Sequence, residues 1–318
     1  MSIRLKDPSN WKKSSTNRWC DLIELYCLYK EDHFCSSEDA LEIVYYKSEE
    51  YCEIEKAECH AETSDIKIRF VEDLFLNLQM RKNILGELYP FEVTRNTIEL
   101  SAIDVMEENS IYVFLLLCSN LCFVDKPTQD KITKEFEICS YYAMKKLISD
   151  KFSVHVFGTS RVGSIFEGNV RQRIEILAKL LNTRTSFTFA EDKRFDVPGG
   201  DAGVDIIAFS TIDNESFIPL IMAQCACGYD DWKSKQYEIN EDIWNKVFDN
   251  LAPYIKMMFV PFMWRENNGE FLNKTEISTC LVDRLRLMQL LYKETDYKEY
   301  SVELTNFIKD NGLDSYCE

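Results

Sequence analysis

Apolar side chains recur at helical spacing along the first 150 residues of the chain. Residues that recur every three or four positions lie on one face of an α-helix, so this pattern predicts a largely helical segment. The predicted helices begin near Thr16 and Ser37 and cover residues 66–88, 111–121 and 132–148. One short stretch, Thr97–Leu100, is rich enough in β-branched and apolar residues to form a strand.

From about residue 151 the pattern changes to short apolar runs between amphipathic stretches. Strands are predicted over residues 154–158, 183–189, 204–209, 217–227 and 254–262, and helices over 166–181, 231–235, 281–291 and 302–308. Strands interleaved with helices indicate an α/β or mixed α+β fold. The sequence therefore predicts a helical domain over residues 1–150, followed by a domain over 151–318 with a mixed central sheet flanked by helices.

The charge balance changes what such a protein can bind. The chain has 54 acidic and 37 basic residues, a formal net charge of -17. A strongly acidic chain does not attract nucleic acid as a whole, so nucleic-acid binding requires a local basic strip, a metal ion or a basic partner. Residues 1–150 hold 28 acidic and 18 basic residues. This half is therefore expected to dock a basic protein subunit, or to mask the second domain until a trigger releases it.

The apolar runs and the cysteines indicate the cellular setting. The longest apolar run, residues 111–118, is far shorter than the ~20 residues of a membrane helix. The first residues also lack the apolar core of a secretion signal. We therefore expect a cytoplasmic protein without membrane contact. The 12 cysteines are scattered through apolar, helix-like surroundings, which favours free thiols over disulfides.

The stretch from residue 200 to residue 235 carries the candidate chemistry. Asp205 follows a glycine turn at the start of a predicted strand, and Gln224 lies near the end of the next strand. Lys233 and Lys235 follow at the start of a predicted helix. Two neighbouring strands can bring a carboxylate and an amide oxygen to one divalent ion, and Mg²⁺ prefers oxygen ligands. A nearby lysine can stabilise charge on a phosphate.

The run Gly200-Asp201-Ala202-Gly203-Val204-Asp205, followed by Gln224 on an apolar strand, resembles the PD-(D/E)xK nuclease superfamily. Within it, the run is most similar to the type IV restriction endonuclease-like branch, in which glutamine often replaces the second acid. The resemblance covers residues 155–265, about a third of the chain. It implies a restriction-endonuclease-like fold and hydrolysis of DNA that depends on Mg²⁺ or Mn²⁺.

The resemblance also implies roles for single residues. Asp205 is the expected metal ligand, Gln224 takes the place of the second acid, and the backbone carbonyl of Cys225 completes the metal shell. The family lysine normally lies two residues after the second acid, where this chain has Ala226. A lysine from the following helix can replace it. Lys235 is preferred over Lys233, because Trp232 is expected to anchor the first turn of that helix and residue 235 lies on the same side of the helix as Trp232.

Two further groups of residues are candidates for the same site. In the helix predicted over 166–181, Glu167 flanks the apolar face and can look into a site, whereas Glu175 points to water. Residues 151–200 hold eight basic and five acidic residues. Four arginines of this stretch are expected to contact the DNA backbone, namely Arg161, Arg171, Arg173 and Arg194. The alternative is that these arginines form an ordinary solvated helix face.

Two classes of function follow from these residues. The first is a metal-dependent endodeoxyribonuclease in a bacterial restriction or antiphage defence system, working as a dimer where both DNA strands are cut. The second is a subunit that keeps the nuclease fold without catalysis and binds nucleic acid or a partner protein. The neutral Gln224 and the missing lysine at Ala226 favour this second class. The same constellation also fits hydrolysis of RNA.

Overall fold

A computed structural model describes residues 16–45, 60–101, 109–158, 165–196, 202–213, 215–292 and 295–313. Its internal contacts divide the chain into two compact units. The first unit comprises Met1–Ile132, Pro261–Leu272 and Tyr292–Glu318, and the second comprises Thr133–Val260 and Asn273–Leu291. The sequence predicts a single domain boundary at residue 150. In the structure the first segment of the first unit ends at residue 132, and two later segments also belong to this unit.

The first unit is mostly helical and carries a small sheet. In chain order it contains α1 (Thr16–Tyr29), β1 (Phe34–Ser36), α2 (Ser37–Tyr45), α3 (His60–Leu85), β2 (Phe91–Val93), β3 (Thr97–Leu100) and α4 (Ser110–Ser119). The three strands pair antiparallel in the order β1-β3-β2. Helix α5 (Lys126–Leu147) begins in this unit and continues into the second. These elements confirm the helices and the short strand predicted for this half.

A buried ionic cluster connects α1 to α3 in the first unit. Arg81 donates through Nη1 to Asp21 at 2.6 Å and to Glu24 at 2.7 Å, and none of these three side chains is exposed. The hydroxyls of Tyr89 and Tyr112 donate to Glu24 at 2.7 and 2.8 Å. One guanidinium therefore compensates two carboxylates, and the two tyrosines complete the hydrogen bonding of Glu24, as buried charges require.

The second unit is built on a five-stranded mixed sheet. Its elements are β4 (Phe152–Val156), α6 (Val170–Leu180), α7 (Phe187–Glu191), β5 (Ile206–Ser210), β6 (Leu220–Cys225), α8 (Trp232–Lys235), α9 (Glu241–Val247), β7 (Tyr254–Phe259), β8 (Cys280–Val282) and α10 (Arg284–Leu291). The strand order is β4-β5-β6-β7-β8. The first three strands pair antiparallel and the last three parallel. The chain is therefore a mixed α/β protein, as predicted.

Burial explains why the central strands are continuous apolar runs. Every residue of β5 is buried, and in β6 every residue from Leu220 to Gln224 is buried. Side chains from α6 and α9, including Ile174 and Trp244, pack on the same core as Ile207 and Met222. After β8 and α10, helix α11 (Thr295–Asp310) belongs to the first unit.

Three predicted elements of the second unit differ from the structure. The stretch predicted as a helix over 281–291 begins as strand β8, and its helix covers Arg284–Leu291. Local polar contacts explain the other two. The helix predicted from residue 166 begins at Val170, because Gly168 has a positive φ of 87° and Asn169 forms a capping box with Gln172. The strand predicted over 183–189 is wrong: this stretch forms an isolated antiparallel bridge, between Thr185 and Phe248, and then enters α7. The Ser186 side chain caps that helix by accepting from the Phe189 amide at 3.1 Å.

Candidate functional site

The backbone of Asp205 is held between two strands at one end of the sheet. Its amide donates to the carbonyl of Ala223 in β6 at 2.9 Å. Its carbonyl accepts from the amides of Phe157 and Gly158, which follow β4, at 2.7 and 3.2 Å. These three bonds fix where the side chain of Asp205 begins.

The carboxylate of Asp205 is buried against the end of β6. The residue is 6% exposed, and its Oδ2 accepts from the Cys225 amide at 2.7 Å. The amide and carbonyl of one strand residue point to the same side. The Cys225 carbonyl therefore faces the Asp205 side of β6, while the next amide, that of Ala226, donates to Phe259 in β7 at 3.0 Å. The carboxylate of Asp205 and the backbone carbonyl of Cys225 thus lie on the same side of this strand end.

Gln224 brings an amide whose two ends have different surroundings. The residue is 4% exposed, and its Nε2 donates to Glu238 Oε2 at 3.0 Å. Its Oε1 is buried and has no hydrogen-bond partner among the residues that the structure describes. A buried carbonyl without a partner costs about 1–3 kcal/mol, so such an atom needs an explanation. The vacant oxygen lies on the residue next to Cys225, where Asp205 is anchored.

Glu238 was not singled out by the sequence, and the fold brings it to Gln224. It lies three residues after α8, in a loop that approaches the turn before Asp205. Gly203 in that turn has a positive φ of 77°, and a Cβ there would overlap the carbonyl oxygen of Glu238. Glycine is therefore required for this approach. The spacing between Glu238 and Gln224 follows no sequence pattern, so only the folded chain reveals the pair.

The thiol of Cys225 is buried beside two carboxylates. Burial first, and then the charges of Asp205 and Glu137, raise the pKa of the Cys225 thiol well above its ordinary value. A thiol in such surroundings stays protonated and is a poor nucleophile.

The sequence predicts that Glu167 lies on the helix over 166–181 and faces the site. Glu167 lies before α6 rather than within it, and its side chain is exposed. The helical-face argument that selected Glu167 therefore does not apply. Glu175 is exposed on α6, as predicted.

The two candidate lysines form ion pairs with other carboxylates. Trp232 is fully buried and anchors α8, as expected. Lys235 Nζ lies 3.6 Å from Asp231 Oδ2, and Lys233 Nζ lies 2.7 Å from Glu276 Oε2. The lysine groups are therefore held near α8, and neither pair includes Asp205 or Gln224.

Arg173 lies in the interior rather than on the basic strip that the sequence suggested. It is 3% exposed, and its Nη1 donates to the Phe157 carbonyl at 2.7 Å and also to the Gly158 carbonyl. The amides of the same two residues hold the backbone of Asp205. Arg173 therefore supports the end of β4 that positions Asp205, and it does not face a nucleic-acid backbone.

Of the other three arginines predicted to contact DNA, the structure describes the side chain of Arg171. Arg171 donates to the carbonyls of Phe189 and Asp192 at 2.9 and 2.7 Å, and its guanidinium lies 4.8 Å from the Phe189 ring centre. It therefore ties α6 to α7. Arg161 lies outside the described residues, as does the side chain of Arg194.

Replacing Gly158 with alanine is expected to disturb the Asp205 carboxylate. A Cβ at residue 158 would lie 2.9 Å from Asp205 Oδ1, closer than ordinary contact. We expect Gly158→Ala to lower the free energy of unfolding by about 1–3 kcal/mol, as overpacking does. Urea unfolding of Gly158→Ala, Asp205→Ala and the double variant measures this. If the clash is with Asp205, the double variant loses less than the two single losses together, and strict additivity contradicts the contact.

Comparisons with protein-family models, with curated proteins and with solved structures gave no match for this chain. Within the described ranges, no three His, Cys, Asp or Glu side chains lie close enough together to hold a metal ion. The candidate site differs from such a group, because two of its three donors are an amide oxygen and a backbone carbonyl. None of the helices in the described part of the chain is long and apolar enough to cross a membrane.

Proposed function

We propose that this chain is a metal-dependent endonuclease that hydrolyses DNA phosphodiester bonds, in a bacterial restriction or antiphage defence system. The observation that carries the proposal is the buried Gln224 Oε1, which has no hydrogen-bond partner among the described residues and lies next to the strand end where Asp205 is anchored. The resemblance of the run from Gly200 to Asp205 to the PD-(D/E)xK nucleases supports the same function.

The residues at this strand end fit a hard divalent cation. Asp205 offers a carboxylate, Gln224 a vacant amide oxygen and Cys225 a backbone carbonyl, and Mg²⁺ and Mn²⁺ prefer such oxygen ligands. These three residues would hold the ion. When bound, such an ion lowers the pKa of a water molecule and neutralises charge on a phosphate.

The protein groups contribute positioning and charge. Asp205 enters the site on a backbone fixed by three hydrogen bonds, so its carboxylate needs little reorganisation. Lys235 is the better candidate for contacting a phosphate oxygen. Its ion pair with Asp231 spans 3.6 Å with both side chains partly exposed, and such pairs are worth about 0–1 kcal/mol. The tighter 2.7 Å pair of Lys233 with Glu276 holds that lysine more firmly.

The charge distribution favours a partner. A chain with a net charge of -17 gains little from its overall field when it approaches DNA. We propose that a basic protein subunit docks on the acidic first half and helps to bring DNA to the site. Two copies of the chain would cut both strands.

Removing the lysine tests the proposed chemistry. We expect purified full-length chain to cut plasmid DNA with Mg²⁺ or Mn²⁺, and Lys235→Ala to lower the rate about a hundredfold through loss of charge stabilisation. The matched control is Lys179→Ala, an exposed lysine of α6, which should cut at the wild-type rate. Equal rates for Lys235→Ala and the wild type would remove Lys235 from the mechanism.

A second candidate function is a nuclease-fold subunit without catalysis. Two observations favour it, namely Ala226 at the family's lysine position and the ion pairs that hold both nearby lysines. This function predicts that the wild type, alone or with a partner, leaves plasmid DNA intact with either metal, yet shifts labelled DNA or binds a partner protein. Cleavage that is lost in Asp205→Asn excludes it.

A further inference from the structure

We propose that Glu238 is a positioning residue of the cation site formed by Asp205 and Gln224. This inference rests on the proposed metal site and adds a residue that neither the sequence pattern nor the family resemblance indicates. Glu238 is the acidic side chain that directly contacts Gln224.

The Glu238 contact determines which end of the Gln224 amide faces inward. An ionised carboxylate only accepts hydrogen bonds, so the group that faces Glu238 Oε2 at 3.0 Å is the Nε2 of Gln224. The amide oxygen is then turned to the buried side, where it has no hydrogen-bond partner among the described residues. Glu238 thus prepares the oxygen of Gln224 to face a cation.

The backbone around Glu238 is fixed although its side chain is exposed. Gln236 is buried, donates to the Glu276 carbonyl at 3.0 Å and accepts from the Ser278 amide at 2.9 Å. Ile239 is buried in the core that supports the sheet. Glu238 lies between these two anchors, and its own backbone packs on Gly203, two residues before Asp205. Its backbone is therefore fixed beside the turn that leads to Asp205, and its carboxylate contacts Gln224.

This position lets Glu238 act on the cation through Gln224. The carboxylate lies at the Nε2 end of the amide, so it orients Oε1 as a ligand for Mg²⁺ or Mn²⁺, which prefer oxygen. A partner of this kind fixes the orientation of a metal ligand and makes the ligand more basic, and its removal typically weakens metal binding.

Direct metal binding tests the assignment without relying on catalysis. Mn²⁺ binding to the full chain is measured by calorimetry and by the loss of the free-ion signal in electron paramagnetic resonance. We expect one Mn²⁺ per chain in the wild type and a loss of affinity of at least about tenfold in Glu238→Gln, a typical cost of removing a metal-site partner. Glu175→Gln, the same change at an exposed position on α6, should bind as the wild type does.

The outcomes separate this inference from the proposed function. Mn²⁺ binding that is weakened by Asp205→Asn but unchanged in Glu238→Gln overturns the role of Glu238 and leaves the metal site in place. Binding that depends on both residues, in a chain that cuts no DNA, supports Glu238 and refutes the nuclease. A wild type that binds no Mn²⁺ overturns both. Glu238→Asp, which keeps the charge, should retain part of the affinity, and thermal unfolding confirms that each variant is folded.

Discussion

Asp205→Asn is expected to abolish metal-dependent DNA cleavage while leaving the chain folded. Asparagine keeps an oxygen that can accept from the Cys225 amide, so the 2.7 Å bond at the strand end can persist. It removes the negative charge that would hold the cation. Losing about 4 kcal/mol of transition-state stabilisation corresponds to about a thousandfold in rate. Plasmid cleavage at fixed Mg²⁺ or Mn²⁺ concentration measures the effect.

The same hairpin offers a matched control for this substitution. Asp213 is exposed in the turn between β5 and β6, where its Oδ1 accepts from the Glu215 amide at 3.1 Å. Asp213→Asn makes the same chemical change in the same unit and should leave cleavage unchanged. If Asp205→Asn cuts at the wild-type rate while its thermal unfolding is also unchanged, the catalytic metal is not at Asp205.

Arg81→Met is expected to cause the largest loss of stability. Arg81, Asp21 and Glu24 are fully buried, and the substitution leaves two carboxylates without their cation. Breaking a buried ion pair from one side costs about 3–5 kcal/mol, because an uncompensated charge stays in the interior. Urea unfolding of the full chain gives the overall loss, and hydrogen exchange of the peptides that cover α1 and α3 localises it to the first unit.

The neighbouring residue provides the control for Arg81. Lys82 forms an ion pair with Glu92 in which both side chains are partly exposed. Exposed pairs are worth about 0–1 kcal/mol, so Lys82→Met should change stability little. Equal losses in Arg81→Met and Lys82→Met would show that the buried cluster contributes no more than an ordinary surface pair.

The elements that the sequence predicts best are those with a strong period or an unbroken apolar run. Helix α6 and strand β6 belong to this group, because burial of one helix face or of both strand faces shows in the order of the residue types. The stretch 183–189 is β-branched enough to suggest a strand. Its conformation is decided instead by the Ser186 cap and by the Ser186 amide, which donates to the Val247 carbonyl at 2.8 Å. That contact comes from a residue 61 positions away, which local propensity does not register.

Some residues of the candidate site can likewise be predicted from nearby sequence, whereas others are brought there only by packing. Asp205 and Gln224 belong to neighbouring antiparallel strands joined by a short hairpin, so sequence order alone suggests that they end at the same edge. Glu238 reaches Gln224 from the loop after α8. Its position depends on how the elements pack, and no spacing rule links it to Asp205. Burial of Arg173 is likewise a property of packing, since its charge in the sequence suggested the surface.

The way the chain returns to its first unit limits how the protein can be divided. The stretch Pro261–Leu272 packs with the N-terminal helices: Asn17 donates to the Arg265 carbonyl at 2.8 Å, and Asn77 donates to Asn267 at 3.1 Å. Helix α11 belongs to the same unit, with Leu304 and Ile308 fully buried. A fragment that starts at residue 151 would therefore carry two apolar pieces stripped of their packing partners. The segments of the two units alternate along the sequence. A single cut in the chain therefore does not release either unit as a complete, independently folding fragment.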